Sequence, residues 1–380
     1  MDQTPQPNRR ENARNHNLQL HRNSAFVKVG SPKGHGRWKR IVGIVLTLFL
    51  SIGLGYAAHM YFSIYSAIDS SGSKNAASSA KIASHRPISV LILGVDQGIE
   101  GRHEQGNSDT LILATANPTR GMATMTSIPR DTLADIKGDG GKYSIFRVNA
   151  AYQVGGNQAA VKTVSALLNT PIDYYIEVNM KALRSLVNAV GGVRVKVPFS
   201  FSYDWNSFHK GYQHLNGRHA VAYVRMRKED PRGDYGRQLR QRQVIEAIMH
   251  KALSVNTITN YRKLVTIFGK YVKTNMSFGD MFSLALNYRG VAQNMKSNYI
   301  QGHDAWINGS SIQVASTEEL QSKSNLIRKN LALPKATLNN EETRQNSLNE
   351  KYNQIHWHDL NAFNNYQVYD HNGNPTDIND

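Results

Sequence analysis

The sequence predicts an α/β protein in which a β-sheet is layered with helices, preceded by one transmembrane helix. From residue 88 onward, short apolar runs of strand length alternate with segments whose apolar residues recur at helical spacing, which is typical of a layered α/β domain. Before them, residues 41–62 form an apolar run without Asp, Glu, Lys or Arg, and about 20 apolar residues are enough to span a bilayer.

The region before the apolar run predicts a cytoplasmic arm. Residues 1–40 are polar, rich in Asn and Arg, and hold nine Lys or Arg against two acidic residues, which indicates disorder. Basic residues directly precede the apolar run, so the positive-inside rule predicts a single-pass plasma-membrane protein with this arm inside and the remainder outside. An uncleaved anchor is favoured over a cleaved signal peptide, because the charged region is long and no A-x-A site follows.

A linker, a folded domain and a tail are predicted after the membrane span. Residues 63–86 are rich in Ser, Ala and Gly and predict a flexible linker. The folded domain is predicted over residues 87–335, and the polar tail over residues 336–380 is expected to be loosely ordered. Apolar runs predict strands at residues 88–94, 111–116, 122–126, 172–178 and 193–197. Helical spacing predicts helices at residues 157–168, 181–190 and 236–253, and two more between residues 261 and 288.

Composition narrows the classes of partner and chemistry. The 45 Lys and Arg outnumber the 28 Asp and Glu, and the resulting net charge of +17 favours polyanionic partners or an anionic membrane surface. The chain has no Cys, which excludes disulfides and thiolate metal sites. Phosphate loops of the GxxxxGKS/T type, GxSxG nucleophile turns and HExxH zinc motifs are also missing from the sequence.

An Arg-rich stretch at residues 221–243 is the strongest functional signal, since seven of its 23 residues are Arg or Lys. Arg225 and Arg227 flank Met226 in a run interpreted as a strand, where alternation would point both guanidinium groups to one face. Pro231 and Gly233 mark a turn before the next helix. The stretch therefore predicts two neighbouring elements that both present arginines.

The helix predicted after this turn continues the pattern. One of its faces carries residues at i, i+3, i+4 and i+7, namely Arg237, Arg240, Gln241 and Val244. Asp234 lies in the turn before it. Planar guanidinium groups match phosphate oxygens in pairs, so the agreement of both spacings favours a site for a multiply charged phosphate group. The alternative is a solvated charged face laced with salt bridges.

Charged residues also mark the ends of three consecutive predicted strands. Asp96 follows the first strand, Asp109 precedes the second, and Arg130 follows the third, just after a proline. In open α/β sheets, ligands bind outside the carboxyl ends of strands. Two carboxylates beside arginines suit Mg²⁺ or Mn²⁺ bound partly through substrate phosphates. The alternatives are that the carboxylates cap loops or pair with arginines, and that Arg130 pairs with Asp131.

At these residues the chain resembles the LytR-CpsA-Psr family of membrane-anchored cell-wall enzymes. Several short motifs occur in the family's order across about residues 88–255, and together they are far more specific than any one alone. The main pieces are Leu93-Gly94-Val95-Asp96, Ser108-Asp109-Thr110, Ser127-Ile128-Pro129-Arg130-Asp131, Val148-Asn149-Ala150-Ala151-Tyr152, Tyr223-Val224-Arg225-Met226-Arg227, Gly233-Asp234-Tyr235-Gly236-Arg237 and Arg240-Gln241.

This resemblance implies a fold and an activity. The fold would be a central mixed β-sheet sandwiched between helices, with a hydrophobic channel for a lipid chain. The activity would be transfer of a glycopolymer, such as teichoic acid or capsular polysaccharide, from a polyprenyl-pyrophosphate carrier onto peptidoglycan through a phosphodiester link. Nucleic acid is not expected as a partner, whereas anionic membrane lipid is expected to contact the basic arm.

The resemblance also implies roles for individual residues. Asp96 and Asp109 would hold Mg²⁺, with Mn²⁺ as an alternative metal. The pyrophosphate would be held by Arg130, Arg225, Arg227, Arg237 and Gln241, with Arg240 as a supporting member. Asp234 would orient these arginines or assist proton removal, so that the catalytic set is Asp96, Asp109, Arg130 and Asp234.

One departure from the family and three rival functions stay open. Many relatives have Arg immediately before Ser-Asp-Thr, whereas this chain has Asn107, so either Arg102 or His103 supplies the charge or the site has one donor fewer.

A membrane-tethered transcriptional regulator is disfavoured, because the basic arm shows no helix-turn-helix pattern. A non-catalytic wall scaffold is disfavoured by the presence of both carboxylates and Arg130. A lipid-pyrophosphate hydrolase could use the same site with water in place of a sugar hydroxyl.

Overall fold

The computed structural model describes residues 47, 51, 76–95, 106–138, 145–252, 268–307, 309–355, 357–359 and 365–376. It divides into two units, Met1–Tyr61 and Phe62–Asp380, and every element named below lies in the second. The predicted arm at residues 1–40 and the predicted span at residues 41–62, apart from 47 and 51, lie outside the described residues. Among the described residues, no helix is both long and apolar enough to cross a membrane.

The strands of the protein are short, and six of the sixteen in the described residues form one central sheet. They are β1 (Ile88–Val95), β2 (Ser108–Asn117), β3 (Met122–Ile128), β4 (Leu133–Asp135), β5 (Ile145–Arg147), β6 (Tyr174–Asn179), β7 (Val193–Val197), β8 (Phe201–Tyr203), β9 (Asn206–Phe208), β10 (Gly211–Leu215), β11 (Val272–Thr274), β12 (Met295–Tyr299), β13 (His303–Ile307), β14 (Ser310–Val314), β15 (Val368–Tyr369) and β16 (Pro375–Thr376). The helices are α1 (Ala76–Ala83), α2 (Ala150–Leu168), α3 (Met180–Ala189), α4 (Gly217–Arg225), α5 (Gly233–Ala252), α6 (Phe278–Asn287), α7 (Thr317–Asn330) and α8 (Glu341–Asn353). A 3₁₀ turn at Arg289–Asn294 precedes β12.

The central sheet has six strands in the order β11-β6-β1-β2-β3-β12. The pairs β1–β6 and β3–β12 are parallel, and the other neighbours are antiparallel. The sheet is therefore mixed, which confirms the central mixed sheet of the predicted fold. Its order brings the end of β1, the start of β2, the end of β3 and the end of β6 to one edge, because Val95 pairs with both Ser108 and Asn179.

Helices cover both faces of this sheet, because its strands are apolar on both sides. Leu91 and Leu93 of β1 point into a buried cluster shared with α2 and α7, which contribute Val164 and Ile327. The opposite face of the sheet packs against α1, α6 and the 3₁₀ turn in a second cluster, which includes Ile82, Ile88, Tyr174, Tyr288 and Val291. These two clusters hold the strands in place, and the charged residues lie at the edge of the sheet where the strands end.

A second layer contains the Arg-rich stretch. Strands β7 and β10 pair antiparallel, and their buried face packs against α3, α4 and α5. Aromatic contacts extend this cluster, since the rings of Phe201 and Phe208 stack at 4.7 Å and Phe208 lies 5.4 Å from Tyr223. Helix α5 is held between this layer and the β3–β12 side of the central sheet through Ser127, which accepts a hydrogen bond from Arg242.

The prediction that Arg225 and Arg227 lie in a strand is wrong. Residues 217–225 form helix α4, whose N-cap Asn216 accepts a hydrogen bond from the backbone N–H of His219. The helix ends at Arg225, and Met226 then adopts an extended conformation with ψ of 133°. Helix α4 has only nine residues, and it buries three consecutive residues near its end, Ala222, Tyr223 and Val224, so the alternation around Met226 was mistaken for a strand.

Of the two helices expected between residues 261 and 288, α6 is confirmed, and residues 268–271 are also helical, whereas residues 261–267 lie outside the described residues. Two further expectations differ from the structure. The tail after residue 335, expected to be loosely ordered, contains helix α8, and the linker expected at residues 63–86 contains helix α1. In α8, buried Gln345, Asn346 and Asn349 hydrogen-bond to the backbone, so a polar helix packs without unsatisfied amides.

Candidate anion-binding site

The edge of the sheet at the end of β1 forms the floor of the site. A β-bulge lies there, because Gly94 pairs with Thr110 and Val95 pairs with Ser108, which leaves Asp109 as the extra residue. Bulges re-aim a side chain, and the Asp109 carboxylate is 41% exposed at this edge. Gly94 is required opposite it, since a Cβ there would lie 2.7 Å from Thr110. Asp96 follows Val95 directly and lies outside the described residues.

Arg130 follows β3 and reaches back to this bulge. Its Nη1 donates to Asp109 Oδ1 at 2.8 Å, and its Nε lies 3.4 Å from Asp131 Oδ2. Burial alone would lower the pKa of Arg130, but the hydrogen bond to Asp109 and the charges of Asp109, Asp131 and Asp234 raise it above its usual value. The guanidinium group therefore keeps its positive charge and is held in position by the carboxylates of Asp109 and Asp131.

The backbone beside Arg130 is fixed by a buried asparagine. The Asn149 N–H donates to the Arg130 carbonyl at 3.2 Å, and the Ser108 N–H donates to the Asn149 carbonyl at 3.4 Å. Asn149 is 4% exposed and thus links the start of β2 to the loop after β3. It lies in one of the motifs that carry the family resemblance, and this bridging contact gives that motif a structural role.

Helix α5 contributes the second side of the site. Arg237 forms an ion pair with Asp234 in the first turn of α5 and is only 11% exposed. Burial lowers the pKa of Arg237, and the charges of Arg130 and Arg227 lower it further against the opposing effect of Asp234 and Asp109. These interactions place Arg130 and Arg227 both within electrostatic range of Arg237. The N-terminal end of α5 adds the positive end of its dipole.

Three sequence-predicted ligands stand differently in the structure. Arg225 is exposed at the last residue of α4, and no ion pair joins it to a carboxylate of the described residues. Gln241 is 8% exposed on α5. Arg240 is fully buried, pairs with Asp230, and donates through Nε to the Tyr223 carbonyl at 3.0 Å and through Nη2 to the Met226 carbonyl. Its guanidinium group is thus used within the protein and does not join the cluster.

Sequence reasoning missed Arg147 as a member of the site, whereas the ion pair of Arg130 with Asp131, considered there as an alternative, is present. Arg147 ends β5, and its Nε lies 3.7 Å from Asp131 Oδ1. Asp131 therefore sits between two arginines, since it also approaches Arg130. The signal was available, because Arg147 directly precedes the Val148-Asn149-Ala150-Ala151-Tyr152 motif.

Buried donors without hydrogen-bond partners show what the site can bind. Within the described part of the chain, the Nε atoms of Arg130, Arg147 and Arg237 are buried and make no hydrogen bond. Buried donors are normally satisfied, and leaving each one unmet costs on the order of 1–3 kcal/mol. An anion with several oxygens would satisfy them, and a pyrophosphate has the required charge and oxygen count.

A metal ion at the bulge stays a prediction, because only Asp109 of its two predicted ligands lies among the described residues. No group of three or more His, Cys, Asp or Glu side chains converges on a metal site within the described ranges. The pairing of Val95 with Ser108 nevertheless brings the chain positions just before Asp96 and Asp109 side by side. Carboxylate oxygens from two residues, completed by substrate phosphate and water, are the ligands that Mg²⁺ prefers.

Fold and site together define a mixed α/β protein with a cluster of arginines and carboxylates at one sheet edge, suited to a polyphosphorylated ligand. The family model described as the LytR_cpsA_psr family matches residues 58–329. A curated relative from Enterococcus faecalis, the polyisoprenyl-teichoic acid–peptidoglycan teichoic acid transferase TagU, is 42% identical over 291 residues, covering 76% of this chain and 95% of that relative. The chain belongs to the LytR_cpsA_psr family.

Solved structures agree with this assignment. Protein gbs0355 from Streptococcus agalactiae is 37% identical, with a TM-score of 0.63, covering 68% of this chain and 93% of that one. The structure of TagT bound to LIIa-WTA is 30% identical, with a TM-score of 0.54, covering 65% of this chain and 92% of that one.

Proposed function

We propose that this chain is a transferase that moves a glycopolymer of the teichoic acid class from a polyisoprenyl-pyrophosphate carrier onto peptidoglycan. The observation that carries the proposal is that Arg130 and Arg227 both lie within electrostatic range of Arg237, while the buried Nε atoms of Arg130 and Arg237 make no hydrogen bond in the described residues. The relative named TagU is a polyisoprenyl-teichoic acid–peptidoglycan transferase, and TagT is similar and binds LIIa-WTA. Both names fit a donor that carries phosphate.

The reaction at this site is a phosphoryl-type transfer. An acceptor hydroxyl oxygen on peptidoglycan attacks the phosphorus that bears the glycopolymer. A new P–O bond forms, the bond to the bridging oxygen breaks, and polyisoprenyl phosphate leaves with that oxygen. Such a reaction needs positioning and charge neutralisation more than covalent catalysis. Arg130 and Arg237 supply both, because each is partly desolvated and held by a carboxylate.

The acceptor proton needs an oxygen base near the phosphorus. Asp234 is 18% exposed and lies within electrostatic range of both Arg130 and Arg237. It orients Arg237 through their ion pair and is placed to receive the proton. Gln241 and Arg225 complete the proposed pyrophosphate contacts.

Asp96 and Asp109 are proposed to hold Mg²⁺, or Mn²⁺ in its place. When bound, the ion would neutralise charge on the pyrophosphate of the donor. Asp96 and Asp109 would hold the ion through their carboxylate oxygens, and Arg130, which donates to Asp109 at 2.8 Å, would bind the donor's phosphate beside it.

The apolar run at residues 41–62 and the basic residues before it support a proposed single-pass plasma-membrane location, with the site outside. This location would place the site where a lipid-linked donor and peptidoglycan meet. The proposal concerns the full chain, and its test uses the full chain in a lipid disc.

The test combines donor, acceptor and matched variants. Full-length protein is incubated with a polyisoprenyl-pyrophosphate-linked saccharide, Mg²⁺ and uncrosslinked peptidoglycan, and sugar bound to the acceptor is measured. Arg130→Ala is expected to abolish transfer. Arg120→Ala is the control, since Arg120 is an exposed arginine in the turn between β2 and β3. Release of phosphate without transfer would favour a hydrolase, and transfer by Arg130→Ala at the wild-type rate would refute the site.

A further inference from the structure

A long β-hairpin projects from the second layer, and the site described above does not use it. Strands β7 and β10 form its base, and β8 and β9 continue it to a two-residue turn at Asp204 and Trp205. We call residues 193–215 the basic hairpin. Its inner face packs into the core through residues such as Val195, Phe201 and Phe208. Its outer face and its tip are exposed to solvent and are therefore available to a partner.

The tip presents a tryptophan in an unfavourable backbone conformation. Trp205 is 98% exposed, although a side chain of this size is normally buried at least in part. Asp204 and Trp205 both have positive φ, at 51° and 60°, which is the geometry of a type I′ turn. Glycine is favoured at the second position of such a turn, because a Cβ is strained there. Strain that serves no packing is a sign of function.

The outer face of the basic hairpin is cationic and aromatic. Cross-strand pairs place Lys196 opposite Tyr212 and Arg194 opposite His214, with all four residues exposed. The Arg194 guanidinium group lies 4.8 Å from the centre of the Tyr212 ring. Across residues 193–215 there are three Lys or Arg and two His against one acidic residue. An anionic partner is therefore complementary to this face.

We propose that the basic hairpin docks on an anionic lipid surface, with Trp205 at the level of the headgroups. Tryptophan prefers the membrane interface, where its ring meets apolar chains and its N–H meets water. Exposed cations near a surface are drawn to anionic lipid. A glycan or polymer site would hold its aromatic ring in a groove beside polar groups, whereas Trp205 stands clear of the protein at the end of a narrow projection.

This docking is independent of the transfer reaction proposed above, because it rests on the hairpin alone. It would give the folded unit a second contact with the bilayer, besides any anchor. It would also fix which side of the unit faces the lipid. The docking can therefore be tested without donor or acceptor.

The absence of cysteine from the chain makes a site-specific probe possible. Ser207→Cys, on the outer face of β9, carries an environment-sensitive dye, and Thr337→Cys, also exposed, carries the same dye as the matched control. Each full-length protein is placed in lipid discs of phosphatidylglycerol with phosphatidylcholine, or of phosphatidylcholine alone. Lipids brominated near the headgroup report contact by quenching.

The expected result is a blue shift and quenching at position 207 in phosphatidylglycerol discs, with neither at position 337. Trp205→Ala in the Ser207→Cys protein should remove the quenching. Arg194→Gln and Lys196→Gln should each lower the docked-to-undocked ratio about fivefold in phosphatidylglycerol discs. Equal quenching at both positions, or none at position 207, would overturn the proposal. A dye response to soluble poly(glycerol phosphate) without lipid would also overturn it, in favour of a polymer site.

Discussion

Replacing Arg240 with Met should unfold the protein more easily while sparing much of its donor binding. Arg240 and Asp230 are both fully buried and form an ion pair. Arg240 also donates to the carbonyls of Tyr223 and Met226, which belong to the last turn of α4 and its cap. Burial lowers the pKa of Arg240, while the hydrogen bond to Asp230 and its negative charge raise it. Each charge of the pair therefore stabilises the other in the core.

The size of the effect follows from the burial of both partners. Removing one member of a buried pair leaves the other charge uncompensated and typically costs about 3–5 kcal/mol. No discount for solvent screening applies, because both side chains have 0% exposure. Each kcal/mol shifts the melting temperature of a large domain by about 2–4 °C, so Arg240→Met should melt roughly 6–20 °C lower. Asp230→Asn in the same protein should recover part of this loss.

Thermal unfolding and donor binding, measured on the same samples, test this reasoning. Arg237→Met is the matched control, since Arg237 lies one turn earlier on α5 and has an Nε without a partner. It should melt within a few degrees of the wild type but lose donor affinity at least tenfold. Arg240→Met should show the reverse, when binding is measured well below its melting temperature. A wild-type melting temperature for Arg240→Met, combined with loss of affinity as large as for Arg237→Met, would refute the structural role.

Three other changes have expected outcomes. Asp109→Asn should remove the metal dependence of transfer and change the free energy of unfolding by less than about 1 kcal/mol, because its bond to Arg130 is partly exposed; a loss above 2 kcal/mol in chemical denaturation would contradict this. Burial raises the pKa of Glu342 from 4.5 to about 7, so the folded protein keeps a proton that the unfolded chain has lost, and stability falls as pH rises between these values. Glu342→Gln should therefore be more stable than the wild type at pH 8, by up to about 3 kcal/mol, and similar at pH 4.5; a constant difference at both values would argue against it. Trp205→Gly should stabilise the folded state by about 0.5–1 kcal/mol, because it relieves a positive φ and loses no packing, and a melting temperature below that of the wild type would show that Trp205 packs in solution.

The sequence predicts the central strands well because they are buried on both sides. The runs at residues 88–94, 111–116 and 122–126 were each found as strands, extended by a few residues at their ends. Continuous apolar runs bounded by Gly, Pro or Asp leave few alternatives. Helix α8 was missed for the opposite reason. Three of its four buried side chains are amides, and their partners are carbonyls distant in sequence, which no local pattern reveals.

The part of the site that lies at strand ends could be predicted from the sequence. Asp109 and Arg130 lie at strand ends, so the sheet brings them together once the strands are known. The roles of the arginines on α5 were not predictable in the same way. Arg237 and Arg240 are three residues apart, yet one lies in the cluster and the other in the core. Only the position of Asp230 separates the two roles, and this residue comes from a loop without periodicity.

The Arg-rich stretch thus contains arginines with two roles, and one role supports the other. By binding the end of α4, Arg240 keeps the buried Met226 in place, and the exposed Arg225 and Arg227 on either side of it keep their position. Gly236 allows this arrangement, because a Cβ there would overlap the Asp230 carboxylate. A site works when its ligands are fixed by a packed support. The smaller loss of donor affinity expected for Arg240→Met would therefore measure how much this buried pair contributes to positioning Arg227.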